Sequence, residues 1–281
     1  MNKNQHDTLE NQDIEIRLLV EAIYQKYGYD FRNYSQAHVK RRILNRFNLS
    51  GMKTIAEMIH EALTNTKFVD LLLMDLSITV TEMFRDPLFY REFREGIIPL
   101  LGNYPFIKIW HAGCSSGEEV YSMAIMLKEE GLYDKAQIYA TDFNPVIIKQ
   151  AKEGVYPLNR MKEFTLNYMK AGGKNSLSDY YTIHYDSARL LDVLKKNIVF
   201  ATHNLVTDGV FAEVNLVVCR NVLIYFNRQL QDKVIKLFVD SLPGGGILCL
   251  GSKETLQFSN HYGEFNPLLP QEKIYIRKVA L

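Results

Sequence analysis

From residue 106 onward the chain alternates short apolar runs with amphipathic helical stretches. That alternation restricts it to a mainly parallel sheet covered by helices on both faces. Residues 107–111 form a strand, followed by a Gly/Ser turn and a helix with Val120, Met123, Ala124 and Leu127 on one face, which Gly131 stops. Residues 137–141 are the next strand, and Asn144-Pro145 then caps a helix ending near Gly154. Residues 197–202 and 214–219 are further strands. Asn227 caps a helix bearing Leu230, Val234, Leu237 and Phe238, closed by Pro243-Gly244-Gly245-Gly246, and strands at 247–250 and 273–277 complete the set.

The first hundred residues follow a different grammar. Ile16, Leu19, Val20, Ile23 and Tyr27 make one helical stripe, Val39, Ile43 and Phe47 a second. Thr54 and Glu57 have capping-box spacing before a helix carrying Ile55, Ile59 and Leu63; Phe68, Leu71, Leu72 and Met74 continue the pattern. Asp86-Pro87 puts a capping acid before a first-turn proline. No such stripe buries itself alone, so these helices pack as a bundle. The expected organisation is an N-terminal helical domain with its linker over 1–90 and an α/β domain over 91–281. Residues 155–196, tyrosine-rich and with an extended run at 180–185, interrupt the latter as a small inserted β-subdomain.

Composition narrows the function. With 47% hydrophobic and 23% charged residues the chain is an ordinary globular protein. Lys plus Arg total 33 against 32 acids, which argues against a nucleic-acid coat. Cys114, Cys219 and Cys249 lie far apart without a CxxC pair, as expected of reduced thiols in a cytoplasm, and neither they nor the histidines have metal-ligand spacing. The polar opening does not read as a signal peptide, and no apolar run is long enough to span a membrane.

The first strand–turn–helix, running from Ile107 through Gly113-Cys114-Ser115-Ser116-Gly117 to Glu118-Glu119, carries the chemistry. Open α/β sheets bind ligands beyond the carboxyl ends of their strands. Asp142 follows Gly117 by 25 residues, at the end of the second strand, where a carboxylate can accept both hydroxyls of a ribose. The bland alternative is that the glycines only shape a turn and Asp142 only caps a helix. Glu118 and Glu119 suit a helix N-terminus but repel a phosphate, which favours a nucleoside without phosphates. S-adenosylmethionine (SAM) fits. The same turn is also literally G-x-S-x-G, the nucleophile elbow of hydrolases. That reading needs a downstream acid and histidine, and His184, His203 and His261 have no compelling acid partner in sequence.

Several ordered stretches together resemble the CheR family of chemotaxis receptor methyltransferases. They are Thr79-Val80-Thr81-Glu82-Met83-Phe84-Arg85, Gly117-Glu118-Glu119-Val120-Tyr121-Ser122, Ala140-Thr141-Asp142, His203-Asn204-Leu205 and Cys219-Arg220-Asn221-Val222-Leu223-Ile224-Tyr225-Phe226. The resemblance spans residue 14 to about 277. It implies a SAM-dependent O-methyltransferase with a Rossmann-like fold that forms glutamate methyl esters on the cytoplasmic domain of chemoreceptors, leaving S-adenosylhomocysteine (SAH). It implies that Asp142 holds the ribose, Glu119 lines the methionine end, Asn204 and Leu205 contact the adenine side, and Arg220 and Asn221 close the pocket. Thr79, Thr81 and Arg85 reach the cofactor from the linker, and Arg85 and Tyr225 lie near the reacting methyl. The chain departs from the family at Met83, at Gly113 and Cys114, and at Gly251-Ser252-Lys253-Glu254-Thr255.

The segment 36–53 holds Lys40, Arg41, Arg42, Arg46 and Lys53 and no acid. A charged segment of this kind is usually a solvated helix face. The resemblance raises a second reading, in which Lys40, Arg41, Arg42 and Arg46 dock an acidic receptor helix. A cytoplasmic monomer that binds neither metal nor nucleic acid is expected. A SAM-binding sensor without turnover is the rival of a different class; it would dispense with Arg85 or Tyr225, and both are present.

Overall fold

The structure, a computed structural model, describes residues 3–77 and 81–279. These form two compact units, one of residues up to 77 together with Tyr225–Gln231, the other of residues 81–224 and 232–279.

The first unit contains α1 (Lys3–Tyr27), α2 (Gln36–Ser50), α3 (Ile55–Thr64) and α4 (Thr66–Leu76). Ile16, Leu19, Val20 and Ile23 are buried, as are Val39 and Ile43, and the Tyr27 hydroxyl donates to the Ala62 carbonyl at 2.8 Å. Thr54 caps α3 by accepting the Glu57 N–H. The buried face of α3 is Ile55, Met58 and Ala62, and Leu63 is exposed. Four-residue steps overrun a helix of 3.6 residues per turn, so Leu63 has rotated about 80° from Ile55 toward solvent. On α4 the buried arc is Phe68, Val69, Leu72, Leu73 and Leu76, and Leu71 falls on the opposite face, exposed. Residues 33–35 run antiparallel to 225–227: the Asn227 N–H donates to the Asn33 carbonyl and the Ser35 N–H to the Tyr225 carbonyl.

The second unit begins with α5 (Pro87–Gly96) and α6 (Ile98–Gly102). It continues through β1 (Ile107–Ala112), α7 (Glu118–Glu129), β2 (Ala136–Asp142), α8 (Pro145–Glu153), β3 (Val155–Pro157), α9 (Met161–Lys170), β4 (Tyr181–His184), β5 (Ser187–Leu190) and β6 (Ile198–Thr202). Last come β7 (Leu216–Cys219), α10 (Arg228–Ser241), β8 (Ile247–Leu250), β9 (Phe265–Leu269) and β10 (Ile274–Arg277); the first turn of α10 belongs to the other unit. Seven strands form one sheet in the order β6-β2-β1-β7-β8-β10-β9. The first five are mutually parallel, and β10 runs antiparallel to both its neighbours. The inserted subdomain is a three-stranded antiparallel sheet, β3-β5-β4, accompanied by α9.

Helix α7 was expected to bury one face, yet every residue from Val120 to Leu127 is buried. Its C-terminal Glu129 explains part of this enclosure. The carboxylate pairs with Arg94 of α5 and accepts the hydroxyls of Tyr168 on α9 and Tyr180 before β4. The subdomain is thereby tied to a helix that also lies against the sheet.

Candidate functional site

The chain runs from β1 outward to β2 and β6, then returns to place β7 on the other side of β1. The usual ligand position in an open α/β sheet lies at such a reversal, beyond the carboxyl ends of the strands, here those of β1 and β7. Of the residues singled out in the second unit, Glu119, Asp142, Arg220 and Asn221 lie at these strand ends.

The turn after β1 is shaped by two left-handed glycines, with φ of +81° at Gly113 and +91° at Gly117. A Cβ on Gly113 would stand 2.7 Å from a Val222 methyl, so glycine lets this turn abut the segment after β7. Asp142 ends β2, and its carboxylate accepts the Ser115 N–H at 3.0 Å and the Asn144 N–H at 3.1 Å. Burial pushes its carboxyl above the ordinary value, while those backbone donors oppose the shift. Asn144, not Asp142, caps α8, accepting the Val146 N–H at 2.9 Å.

Glu119, on the first turn of α7, is bound from two strands. Its Oε2 lies 2.8 Å from Nη1 of Arg220 and its Oε1 lies 3.3 Å from Nδ1 of His111. Burial pushes the Glu119 carboxyl up, but Arg220 and His111 prevail and hold it below the ordinary carboxylate value. Arg220, 2% exposed in its side chain, also pairs with Asp86 at 2.7 Å and lies 4.0 Å from the Phe89 ring centroid. Asp86 was expected to cap α5. Its φ of +57° instead turns the carboxylate to Arg220, and no side-chain capping bond forms. Phe84 is left-handed too, at +53°, so Arg85 sits between two strained positions. The Phe84 N–H donates to Ser122 of α7 at 2.8 Å, and the Arg85 carbonyl accepts from Arg220.

The remaining sequence candidates fall in several places. Thr79 lies outside the described residues. The Thr81 carbonyl accepts from Arg160 at 2.6 Å, and Arg160 also pairs with Glu118. The Asn204 side chain accepts the Val206 N–H and so shapes its own turn, with Leu205 buried beside it. Asn221 is left-handed at φ +60°, and its N–H donates to Glu254. Tyr225 belongs to the first unit, where its ring meets His38 edge-on at 5.0 Å. On α2, Lys40 pairs with Asp13 and Arg46 with Asp75, Arg42 is half-buried, and only Arg41 among the four basic candidates is exposed. Less of the charge is solvated than the pattern suggested. His111, Asp86 and Glu254 join the site without having been singled out for it.

The hydrolase reading fails on geometry. Ser115 is left-handed at φ +51°, but its buried Oγ has no hydrogen-bond partner, so no histidine activates it. His203 turns Nε2 to the Gly209 carbonyl, His261 pairs with Glu264, and His184 is exposed on β4. Four buried polar atoms without a protein partner lie at or just beyond the carboxyl ends of β1, β6 and β7: His111 Nε2, Ser115 Oγ, His203 Nδ1 and Arg220 Nε. Each such group costs about 1–3 kcal/mol when left unpaired, so their concentration on one sheet edge fits a polar, hydroxyl-bearing ligand. Among the described residues no cluster of three or more His, Cys, Asp or Glu could hold a metal ion, and the three cysteines are buried and free.

Comparison with known proteins shows the family. Residues 79–269 match the family described as CheR methyltransferase, SAM binding domain, and residues 14–77 match CheR methyltransferase, all-alpha domain. The chain is 49% identical over 265 residues to a Pseudomonas putida protein named "Putative methyltransferase Cher3", an alignment covering 94% of this chain and 97% of that one. It is 31% identical to a chemotaxis protein methyltransferase of Listeria innocua over 84% of this chain and 88% of the relative. A chemotaxis protein methyltransferase of Salmonella typhimurium is 25% identical over 90% and 87% of the two chains.

Proposed function

The chain belongs to the CheR methyltransferase family, a SAM-dependent enzyme that methylates chemoreceptor glutamates, and we propose how its residues divide that work. The observation that carries the reading is the cluster of polar groups at the carboxyl ends of β1, β2 and β7. It joins an acceptor-rich Asp142 to the buried Glu119–Arg220 pair and to unpaired polar atoms.

In this reading Asp142 accepts the ribose hydroxyls, because the backbone N–H groups of Ser115, Phe143 and Asn144 leave acceptor capacity on a carboxylate with about four lone-pair sites. Glu119 faces the methionine end, Asn204 and Leu205 the adenine side, and Arg220, Asn221, Thr79 and Thr81 complete the enclosure. When bound, SAM supplies a methyl group on a positively charged sulfur. Arg220 and His111 keep Glu119 ionised, so it presents negative charge to a cationic ligand.

The receptor glutamate needs no general base, since a carboxyl with a reference pKa of about 4.3 is ionised at neutral pH. What the protein contributes is alignment and exclusion of water. Arg85 and Tyr225 position the glutamate. The strained turn around Arg85 fixes the backbone of the one, and backbone pairing within the first unit fixes that of the other. Arg41, with Lys40, Arg42 and Arg46 on the same helix, docks an acidic receptor helix; the enzyme works as a cytoplasmic monomer without a metal. Among the described residues no helix is long and apolar enough to cross a membrane.

Kinetics and calorimetry on the full chain separate these roles. Arg85→Ala and Tyr225→Phe are expected to lower kcat by about tenfold or more, with SAH affinity within about threefold of wild type. Arg41→Glu should raise KM for intact receptor with SAH affinity equally unchanged. Equal loss of turnover and cofactor affinity in the first two variants contradicts the division.

A further inference from the structure

We propose that Glu254 is a positioning residue for cofactor binding, its carboxylate setting the conformation of the segment that carries Arg220 and Asn221. The inference rests on the reading that this segment closes the cofactor site.

Glu254 lies beyond the end of β8, only 4% exposed, and its two oxygens gather four backbone N–H groups. Oε2 accepts from Gly251 at 2.6 Å and Asn221 at 3.0 Å. Oε1 accepts from Val222 at 2.9 Å and Ile224 at 3.3 Å. Three of these donors belong to the segment after β7, about thirty residues away in sequence. An ionised carboxylate is an acceptor with about four sites, so this one is full. It has nothing left to offer a ligand and acts through the backbone it holds.

That backbone needs holding. Asn221 is at φ +60°, where an asparagine is tolerated but not favoured, and its N–H and that of Val222 point inward from a left-handed turn. The approach is close enough that a Cβ on Gly251 would stand 2.8 Å from the Asn221 nitrogen and 2.9 Å from Glu254 Oε2. On its other side the segment meets the turn after β1, through the contact between Val222 and Gly113. The carboxylate therefore fixes the segment after β7 against the turn after β1.

Glu254→Gln keeps the shape but puts an amide NH2 against two N–H donors. In the full-length protein, calorimetry with SAH should show an affinity about ten- to hundredfold weaker, the scale of leaving buried donors unpaired. Amide hydrogen exchange should accelerate at 221–224 more than in the rest of the sheet. KM for SAM should rise more than kcat falls, which mere loss of stability would not produce. Should Glu254→Gln fail to fold, Glu254→Asp decides: its shorter carboxylate keeps the charge but not the reach to both donor pairs, so an intermediate loss of SAH affinity is expected. SAH affinity within twofold of wild type in whichever variant folds overturns the proposal. Wild-type protein that binds no SAH overturns the reading of the site itself, a result distinguishable from a wild type that binds and a variant that binds equally well.

Discussion

Two buried carboxylates stand at the same edge of the large sheet, Asp142 at the end of β2 and Glu254 beyond the end of β8. They spend their acceptors differently. Asp142 takes one N–H from the turn after β1, that of Ser115, and those of Phe143 and Asn144 from its own turn. Glu254 takes four. In both, burial pushes the carboxyl above its ordinary value and backbone donors pull it back. The acid held mainly by its own turn is the one suited to bind; the one that gathers donors from a distant segment is suited to hold that segment. Burial and charge alone do not separate a ligand residue from a scaffold residue, whereas the origin of the donors on each carboxylate does.

The cluster between them is where the comparison breaks most violently. Arg220 joins the two sides, pairing with Glu119 on α7 and Asp86 at the start of α5. Arg220→Met should destabilise the second unit by about 3–5 kcal/mol in urea denaturation, because it strands Glu119 beside a half-buried Asp86. A loss below about 1 kcal/mol would mean the network is open to water.

Asn144→Ala is a milder test of the Asp142 side. It removes the cap on α8 and should cost about 1 kcal/mol of stability, with SAH affinity falling only slightly because the Asn144 N–H to Asp142 survives. A loss of binding as large as that from an Asp142 variant would show that the cap, not the carboxylate, makes the site.

The pH dependence sharpens the contrast by sign. Glu119 is held below the ordinary carboxylate value, so its contribution to stability is present above that value and disappears as pH falls through its folded pKa. Asp142 and Glu254 are held above it, so their contribution is greatest in acid and declines as pH rises through their folded values. The stability of wild type relative to Glu119→Gln should therefore shrink as pH falls below the ordinary carboxylate value of 4.5, and that relative to Glu254→Gln should grow as pH falls toward 4.5 from above. Denaturation curves across that range decide it; parallel slopes would contradict the assignment.

The same contrast explains what the sequence made legible. The β1–turn–α7–β2 unit could be read because its determinants are local: Gly113 and Gly117 in one turn, Asp142 at a strand end, Asn144 next to Pro145. Strand β9 went unread because Phe265–Leu269 carries Pro267 and pairs only as an edge strand, where no alternation is enforced. Helix α9 was hidden in a tyrosine-rich stretch whose burial comes from neighbours distant in sequence. Asp86 looked like a cap because the pattern does not reveal a left-handed φ. Glu254 left no trace, since its partners are main-chain groups about thirty residues upstream and backbone N–H groups have no sequence signature. The departure at Gly251-Ser252-Lys253-Glu254-Thr255 was the one available hint, and it keeps both the glycine and the glutamate that the geometry uses.

The most direct test of the account is methyl transfer to receptors with the carboxylate proposed to hold the ribose present and absent. Wild-type protein and Asp142→Ala would be incubated with methyl-labelled SAM and membranes containing chemoreceptors from the same organism, and alkali-labile methyl esters counted. The account predicts label on receptor glutamates with wild type and a loss of about thirtyfold or more with the variant at limiting SAM, as expected for losing about 2 kcal/mol of binding. Undiminished transfer by Asp142→Ala, or label that resists alkali, would contradict it.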